Sequence, residues 1–282
     1  MEKVKLVVDS TFYFTDEEVK KYDLTLVELN IIDGDKTFKE FELTPQIVYD
    51  RQDAGAGLTT SQPSPQEFLD AYTSAFEKGA EQVLVLTLSK GLSGTYQSAV
   101  LAKKSHERND DIYIVDTQQA AYGNELLTLV TIDYMKKAKD LKDVVKFAEE
   151  KGKEIGLFFT VENLNSLYRG GRLKKSQAFI GSVLKVKPML TIEEGKLTLF
   201  DKSRSYSGVN QKIVARIQEE ANGRTPIFRF IGINSEDAVE GLQTALMEAF
   251  PKATFSESRY LGPVFSIHVG KKGYGIAWYF QG

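Results

Sequence analysis

Cysteine is absent from this 282-residue chain, which removes disulfides, thiolate catalysis and cysteine metal sites together. Histidine is scarce: His106 and His268 leave little from which to assemble an imidazole-ligated metal. A basic surplus is missing too, because 36 Lys and Arg face 39 Asp and Glu for a formal net charge of −3. Extended contacts with nucleic acid or an anionic membrane are therefore not expected. No apolar run is long enough for a membrane span or a signal peptide, and MEKVKLVVDS leads straight into a strand pattern. These absences point to a cytoplasmic protein with no metal and no cofactor, whose partners are small ligands or proteins.

Several catalytic signatures are missing as well. Neither GxxxxGK[ST] nor a strand-initial GxGxxG occurs, which removes the usual phosphate and dinucleotide loops. GxSxG is absent, since Ser93 stands in Gly91-Leu92-Ser93-Gly94-Thr95. An esterase-type hydrolase built on Ser93 and His268 stays open, because such an enzyme needs a nucleophile with a base in reach, but no spacing ties His268 to an acid.

What is present is an apolar content of 42%, enough for two modest cores. Residues 4–8 read as a strand ending in Asp9-Ser10-Thr11, and Thr15 with Glu18 forms a capping box for a helix. Residues 26–32 read as one strand before an Asp33-Gly34-Asp35 turn, Thr44-Pro45 starts a helix, and 51–58 reads as loop. Ser64, Pro65 and Glu67 supply N-cap, N1 and N3 of a helix that turns Phe68, Leu69, Tyr72, Ala75 and Phe76 inward. A strand at 112–115 ends in Asp116-Thr117, and helices follow over 121–139 and 141–151.

A boundary near Gly152 divides the chain into an N-terminal α/β domain, 1–153, with a mostly parallel sheet and flanking helices, and a C-terminal α+β domain, 154–282. The second half carries a strand at 155–159 and a helix stopped by Arg169-Gly170-Gly171-Arg172. A hairpin of 184–192 and 197–200 follows, closed by Lys202-Ser203-Arg204. Helices at 209–220 and 238–250 then alternate with strands at 227–233, 253–256 and 274–280.

The organising stretch is LSKGLSGTYQSA, residues 88–99, after the apolar run at 83–88. Such a run reads as a parallel strand buried on both faces, so Ser93 sits where a strand hands over to a helix. Ligands lie beyond the carboxyl ends of strands in open α/β sheets, and helix N-termini attract anions, which makes Ser93 and the Gly94 amide candidates for an anion clamp. The same Gly91 and Gly94 also suit a plain tight turn. Ser10, Ser93 and Asp116 follow three such strands and are expected to converge on one crevice, while Asp9 and Asp116 equally suit loop amides or caps.

Eight motifs in one order resemble the DegV family of bacterial fatty-acid-binding proteins, some of which are the lipid-carrying subunits of a fatty acid kinase. They are DST at 9–11, TSQPS at 60–64, LSGTYQSA at 92–99, VDT at 115–117, GGR at 170–172, VKP at 186–188, Arg204, and His268 in SIHVG. The resemblance implies a long-chain fatty acid in a tunnel between the two domains. Its carboxylate would be held by Thr60 and Ser93, with Ser61 and Gly94 adjoining and His268 close by. Arg204 matches an arginine linked to phosphoryl transfer with a kinase partner, and Arg172 of the GGR is grouped with it. The sequence departs from the family pattern at Phe12-Tyr13-Phe14, where small and acidic residues are usual, and at Lys271-Lys272 after His268, which put charge near the expected head-group mouth.

Overall fold

The computed structural model describes residues 3–162, 164–173 and 186–281. In chain order the first elements are β1 (Val4–Asp9), α1 (Asp16–Lys21), β2 (Leu24–Val27), β3 (Asn30–Asp33), β4 (Lys36–Lys39), α2 (Pro45–Asp53) and β5 (Thr59–Ser61). Next come α3 (Pro65–Glu77), β6 (Gln82–Thr87), α4 (Thr95–Ser105), β7 (Ile112–Asp116), α5 (Tyr122–Met135) and α6 (Leu141–Gly152). The remainder is β8 (Gly156–Val161), α7 (Asn165–Arg169), β9 (Lys187–Glu193), β10 (Lys196–Ser203), α8 (Tyr206–Ala221), β11 (Thr225–Ile233), α9 (Glu236–Ala249), β12 (Thr254–Tyr260), α10 (Pro263–Val269) and β13 (Gly273–Gln281).

The architecture is α/β, with a parallel sheet and a separate mixed one. The parallel sheet has the order β2-β1-β6-β7. Its strands are apolar on both sides because helices cover both. Val7, Val83 and Val85 meet Phe68, Tyr72 and Ala75 of α3 and Ala99 and Ala102 of α4. Leu6, Val8, Leu84 and Leu86 meet Leu141, Val144 and Ala148 of α6. β1 and β6 are adjacent, yet the chain leaves them toward opposite edges, so the sheet has its switch point between them.

The mixed sheet has the order β10-β9-β8-β13-β11-β12, antiparallel except for β11 with β12. Its outer face packs Phe158, Phe228, Phe230 and Trp278 against Val209, Ile213 and Ile217 of α8 and Leu242 and Leu246 of α9. Its inner face carries Leu157, Ile231, Ile233 and Ala277 toward Leu126 and Leu127 of α5 and Val264 and Ile267 of α10.

Four details differ from the sequence expectation. Residues 26–32 are two strands in two sheets, because Leu29 between them gives its N–H to Ser10 Oγ and its carbonyl to the Glu40 N–H rather than to a sheet neighbour. β3 then joins β4 and β5 in a third, antiparallel sheet of order β4-β3-β5. α2 runs through Arg51 to Asp53, ending only where Gly55 takes φ +90° and the Ala56 and Gly55 N–H groups close on Arg51 and Gln52. The segment around His268 is a short helix, and α5 stops at Met135. Of the expected hairpin strand at 184–192, residues 184 and 185 lie outside the described residues, and β9 is seen from Lys187.

Candidate functional site

A cavity lies between the carboxyl edge of the parallel sheet and the inner face of the mixed sheet. Leu88, Leu92 and Ser93 reach it from the loop after β6, and Ala120 and Ala121 from the loop after β7. Leu157, Phe159, Ile231 and Ile233 line it from the mixed sheet, and Val264, Phe265 and His268 from α10. Thr60 and Ser61 of β5 close another side. The walls are mainly apolar, as those of small-molecule sites generally are.

Among the polar lining residues, Thr60 and His268 are paired. Thr60 Oγ1 stands 2.8 Å from His268 Nε2. The other ring nitrogen faces Gly170, where an added Cβ would come within 2.9 Å of it, so the missing side chain makes room for the imidazole. The Gly170 carbonyl accepts from Arg172 Nη1 at 2.6 Å, and Arg172 Nε donates to the Leu92 carbonyl at 3.1 Å, one residue before Ser93. Burial, and then the Arg172 charge, push the His268 pKa down to about 4, so the ring is neutral at pH 7. Arg172 is half-buried and pairs with no carboxylate among the described residues; burial lowers its pKa from the usual arginine value.

Of the expected site residues, Thr60, Ser61, Ser93, His268 and Arg172 line this cavity. Gly94 is the N-cap of α4 and packs beside the Gln62 side chain. Arg204 is exposed and outside the lining, immediately before Ser205, the N-cap of α8. Ser93 Oγ pairs with Thr95 Oγ1 at 2.9 Å and His268 with Thr60, so a nucleophile–base pair is not formed between Ser93 and His268.

The expected convergence of Ser10, Ser93 and Asp116 is not what the structure shows. Only Ser93 reaches the cavity. Ser10 Oγ donates to the buried Glu40 carboxylate, and Asp116 accepts from the Lys90 and Gln118 amides. Asp9 Oδ2 accepts the Leu88 N–H at 2.7 Å, and Oδ1 accepts from Thr11 N and Oγ1, so it locks the switch-point loops together. Burial raises it to about 6. Phe12, Tyr13 and Phe14 are buried in the cores, and Lys271 pairs with Asp53, outside the lining.

Two residues near the polar lining escaped sequence reading: Asn30, whose amide meets Ser61 Oγ and the Gln62 carbonyl, and Lys39, whose ammonium meets Asn30 Oδ1. No motif marks them. The signal is register, because Lys39, Asn30 and Ser61 are paired residues of β4, β3 and β5.

The family described as "uncharacterised protein, DegV family" matches residues 3–281. A protein of Thermotoga maritima named fatty acid-binding protein is 33% identical over 284 residues, covering 97% of each chain. Protein DegV of Bacillus subtilis is 31% identical over 282 residues, 99% of each. Among solved structures, a DegV family protein of Thermus thermophilus, described for its fatty acid binding, superposes with a TM-score of 0.90 at 31% identity, covering 99% of this chain and 100% of that one. The DegV structure of Bacillus subtilis, described as a fatty acid binding protein, gives 0.86 at 29% identity over 99% of both chains. Sequence and fold thus agree from end to end, and the chain belongs to the DegV family.

Proposed function

We propose that this protein binds a long-chain fatty acid in the cavity and presents it, in the cytoplasm, to a separate fatty acid kinase that forms the acyl phosphate. The observation that carries the reading is a mainly apolar cavity whose lining includes Thr60, His268, Arg172 and Ser93. The relatives named for fatty-acid binding support it.

The acyl chain supplies affinity. Burying roughly 15 methylenes at about 0.8 kcal/mol each contributes about 12 kcal/mol before association costs. The polar groups supply orientation: the Thr60, Ser61 and Ser93 hydroxyls, the Gly94 amide and the Arg172 guanidinium are donors suited to a carboxylate. His268, neutral at pH 7, adds a ring nitrogen without competing charge. Hydroxyls and amides leave carboxylate lone pairs available for transfer. Arg204, exposed and outside the cavity, is assigned to the kinase-facing surface. The division into domains 1–153 and 154–282, with the ligand between them, belongs to the same proposal.

Extraction of purified protein into organic solvent followed by lipid mass spectrometry, beside calorimetric titration with a C18 fatty acid, tests the binding. Recovery of an acyl chain and saturable binding are expected; neither being seen overturns the reading. Acyl-phosphate formation with a cognate kinase and ATP tests presentation, and ester hydrolysis by the protein alone that vanishes in both Ser93→Ala and His268→Ala would favour a hydrolase instead.

A further inference from the structure

β4, β3 and β5 place three side chains in one cross-strand row, with Lys39 opposite Asn30 and Asn30 opposite Ser61. Paired residues on adjacent strands project to the same face, so the row leads side by side to the cavity wall at Ser61. Hydrogen-bond chemistry fixes a polarity along it. The Lys39 ammonium carries donors only, and its Nζ stands 2.8 Å from Asn30 Oδ1. The Asn30 carbonyl oxygen must therefore face Lys39 and its NH₂ must face away. That NH₂ donates to the Gln62 carbonyl at 3.2 Å and to Ser61 Oγ at 3.4 Å, two acceptors that agree on the orientation. Lys39 is itself held by the Glu67 carboxylate, which takes the N–H and hydroxyl of Ser64 in the α3 capping box. An amide NH₂ has no lone pair to offer, so Ser61 only accepts from Asn30 and its own proton is left for another partner.

On the strength of the fatty-acid reading above, we propose that Asn30, oriented by Lys39, is a positioning residue that keeps the Ser61 hydroxyl a donor toward the anionic head group. A carboxylate accepts and never donates. A serine whose proton were already spent on a protein acceptor would turn lone pairs toward it and repel it. The Lys39 charge thus acts at the cavity through two intervening side chains without entering it, and it favours a free acid over an ester, whose carbonyl is the weaker acceptor.

Asn30→Asp tests this with little change of shape. The new carboxylate keeps a partner for Lys39 but accepts the Ser61 proton, which reverses the polarity. Binding of oleic acid and of methyl oleate to the full chain is measured by calorimetry for the wild type, Asn30→Asp, Ser61→Ala and the double variant, with melting curves to verify folding. Asn30→Asp is expected to weaken oleic acid binding by about tenfold and to lower the acid-to-ester affinity ratio. The double variant is expected to bind like Ser61→Ala alone, because the effect runs through Ser61. Purely additive losses, which a direct charge repulsion gives, or an unchanged ratio, overturn the proposal. Should Asn30→Asp not fold, Lys39→Met frees the amide to turn and is expected to lower the ratio by about threefold; no change there overturns the proposal equally. A wild type that binds neither ligand overturns the fatty-acid reading itself, and a wild type that binds oleic acid beside an unaffected Asn30→Asp overturns only the positioning role.

Discussion

Thr60 Oγ1 and His268 Nε2 stand 2.8 Å apart although 208 positions separate them in the chain. The contact ties β5, at the edge of the small antiparallel sheet, to α10, which packs against α2 and the inner face of the mixed sheet. The environment of the histidine in turn fixes its protonation state. Desolvation, and then Arg172, hold His268 at about 4, below the usual 6.5.

That depression sets a pH window. Between about pH 6.5 and about 4 the unfolded chain binds a proton at His268 that the folded chain refuses, so stability falls as pH falls through the window. The contribution is complete above about 6.5 and lost by about 4, on the order of 3 kcal/mol in all. Glu40 and Asp9 act in the opposite sense. Desolvation raises them to about 7 and about 6, so their stabilising contribution is present at low pH and lost as pH rises through those values. Comparing the wild type with His268→Gln isolates the histidine: between pH 7 and 5 the wild type is expected to lose more melting temperature than the variant. Parallel pH profiles would contradict the assignment.

Gly170→Ala is expected to disturb the same histidine from the other side. The backbone there is right-handed helical, φ −72°, so alanine costs nothing conformationally, but its Cβ would lie 2.9 Å from His268 Nδ1 and 3.1 Å from the Ser166 carbonyl. Crowding of this kind costs about 1–3 kcal/mol. Fatty-acid affinity should fall by about tenfold in calorimetry while circular dichroism stays native.

Glu40 anchors the start of α10. Its fully buried carboxylate accepts the Val264 N–H at 3.1 Å and the Ser10 hydroxyl. Glu40→Ala strands both donors, which places the expected loss at about 2–4 kcal/mol in urea unfolding. Glu40→Gln, which keeps an acceptor for Val264, is expected to lose less than half of that. Equal losses would mean that the amide oxygen does not stand in for the carboxylate at the Val264 N–H.

The large parallel strands and the capped helices were legible because their signals are local. An apolar run such as Val83 to Leu86 can be buried only between two helical layers, and Thr15 with Glu18 or Ser64 with Glu67 forms a reciprocal cap within four residues. β4 was not legible, because Lys36–Lys39 is short and polar at three of its four positions, and neither was the break at Leu29, whose partners Ser10 and Glu40 are distant in sequence. The seven-residue α10 is too short for a helical period to show. The site followed the same rule. Ser93 was readable from its strand-to-helix turn, whereas the meeting of Thr60 with His268 came only through family resemblance, and the row Lys39–Asn30–Ser61 is written in register alone.

Arg172 offers the sharpest separation of stability from function. Its guanidinium gives hydrogen bonds to two carbonyl groups, Leu92 and Gly170, but no described carboxylate balances its charge. A half-buried cation without a counter-ion stabilises the ligand-free protein little, since desolvation offsets what its hydrogen bonds contribute. A bound carboxylate supplies the missing charge, and a charge-assisted bond of that kind is worth about 1.5–3 kcal/mol. Arg172→Met is therefore expected to change the melting temperature of the delipidated protein by only a few degrees while weakening fatty-acid binding by about 10- to 100-fold. The increase in melting temperature on adding oleic acid should shrink accordingly. Methyl oleate, which brings no charge, should lose much less affinity than the acid. If acid and ester lose affinity alike, Arg172 serves the cavity wall and not the carboxylate. If the delipidated variant collapses instead, its hydrogen bonds to Leu92 and Gly170 matter more to the fold than its charge does to the ligand.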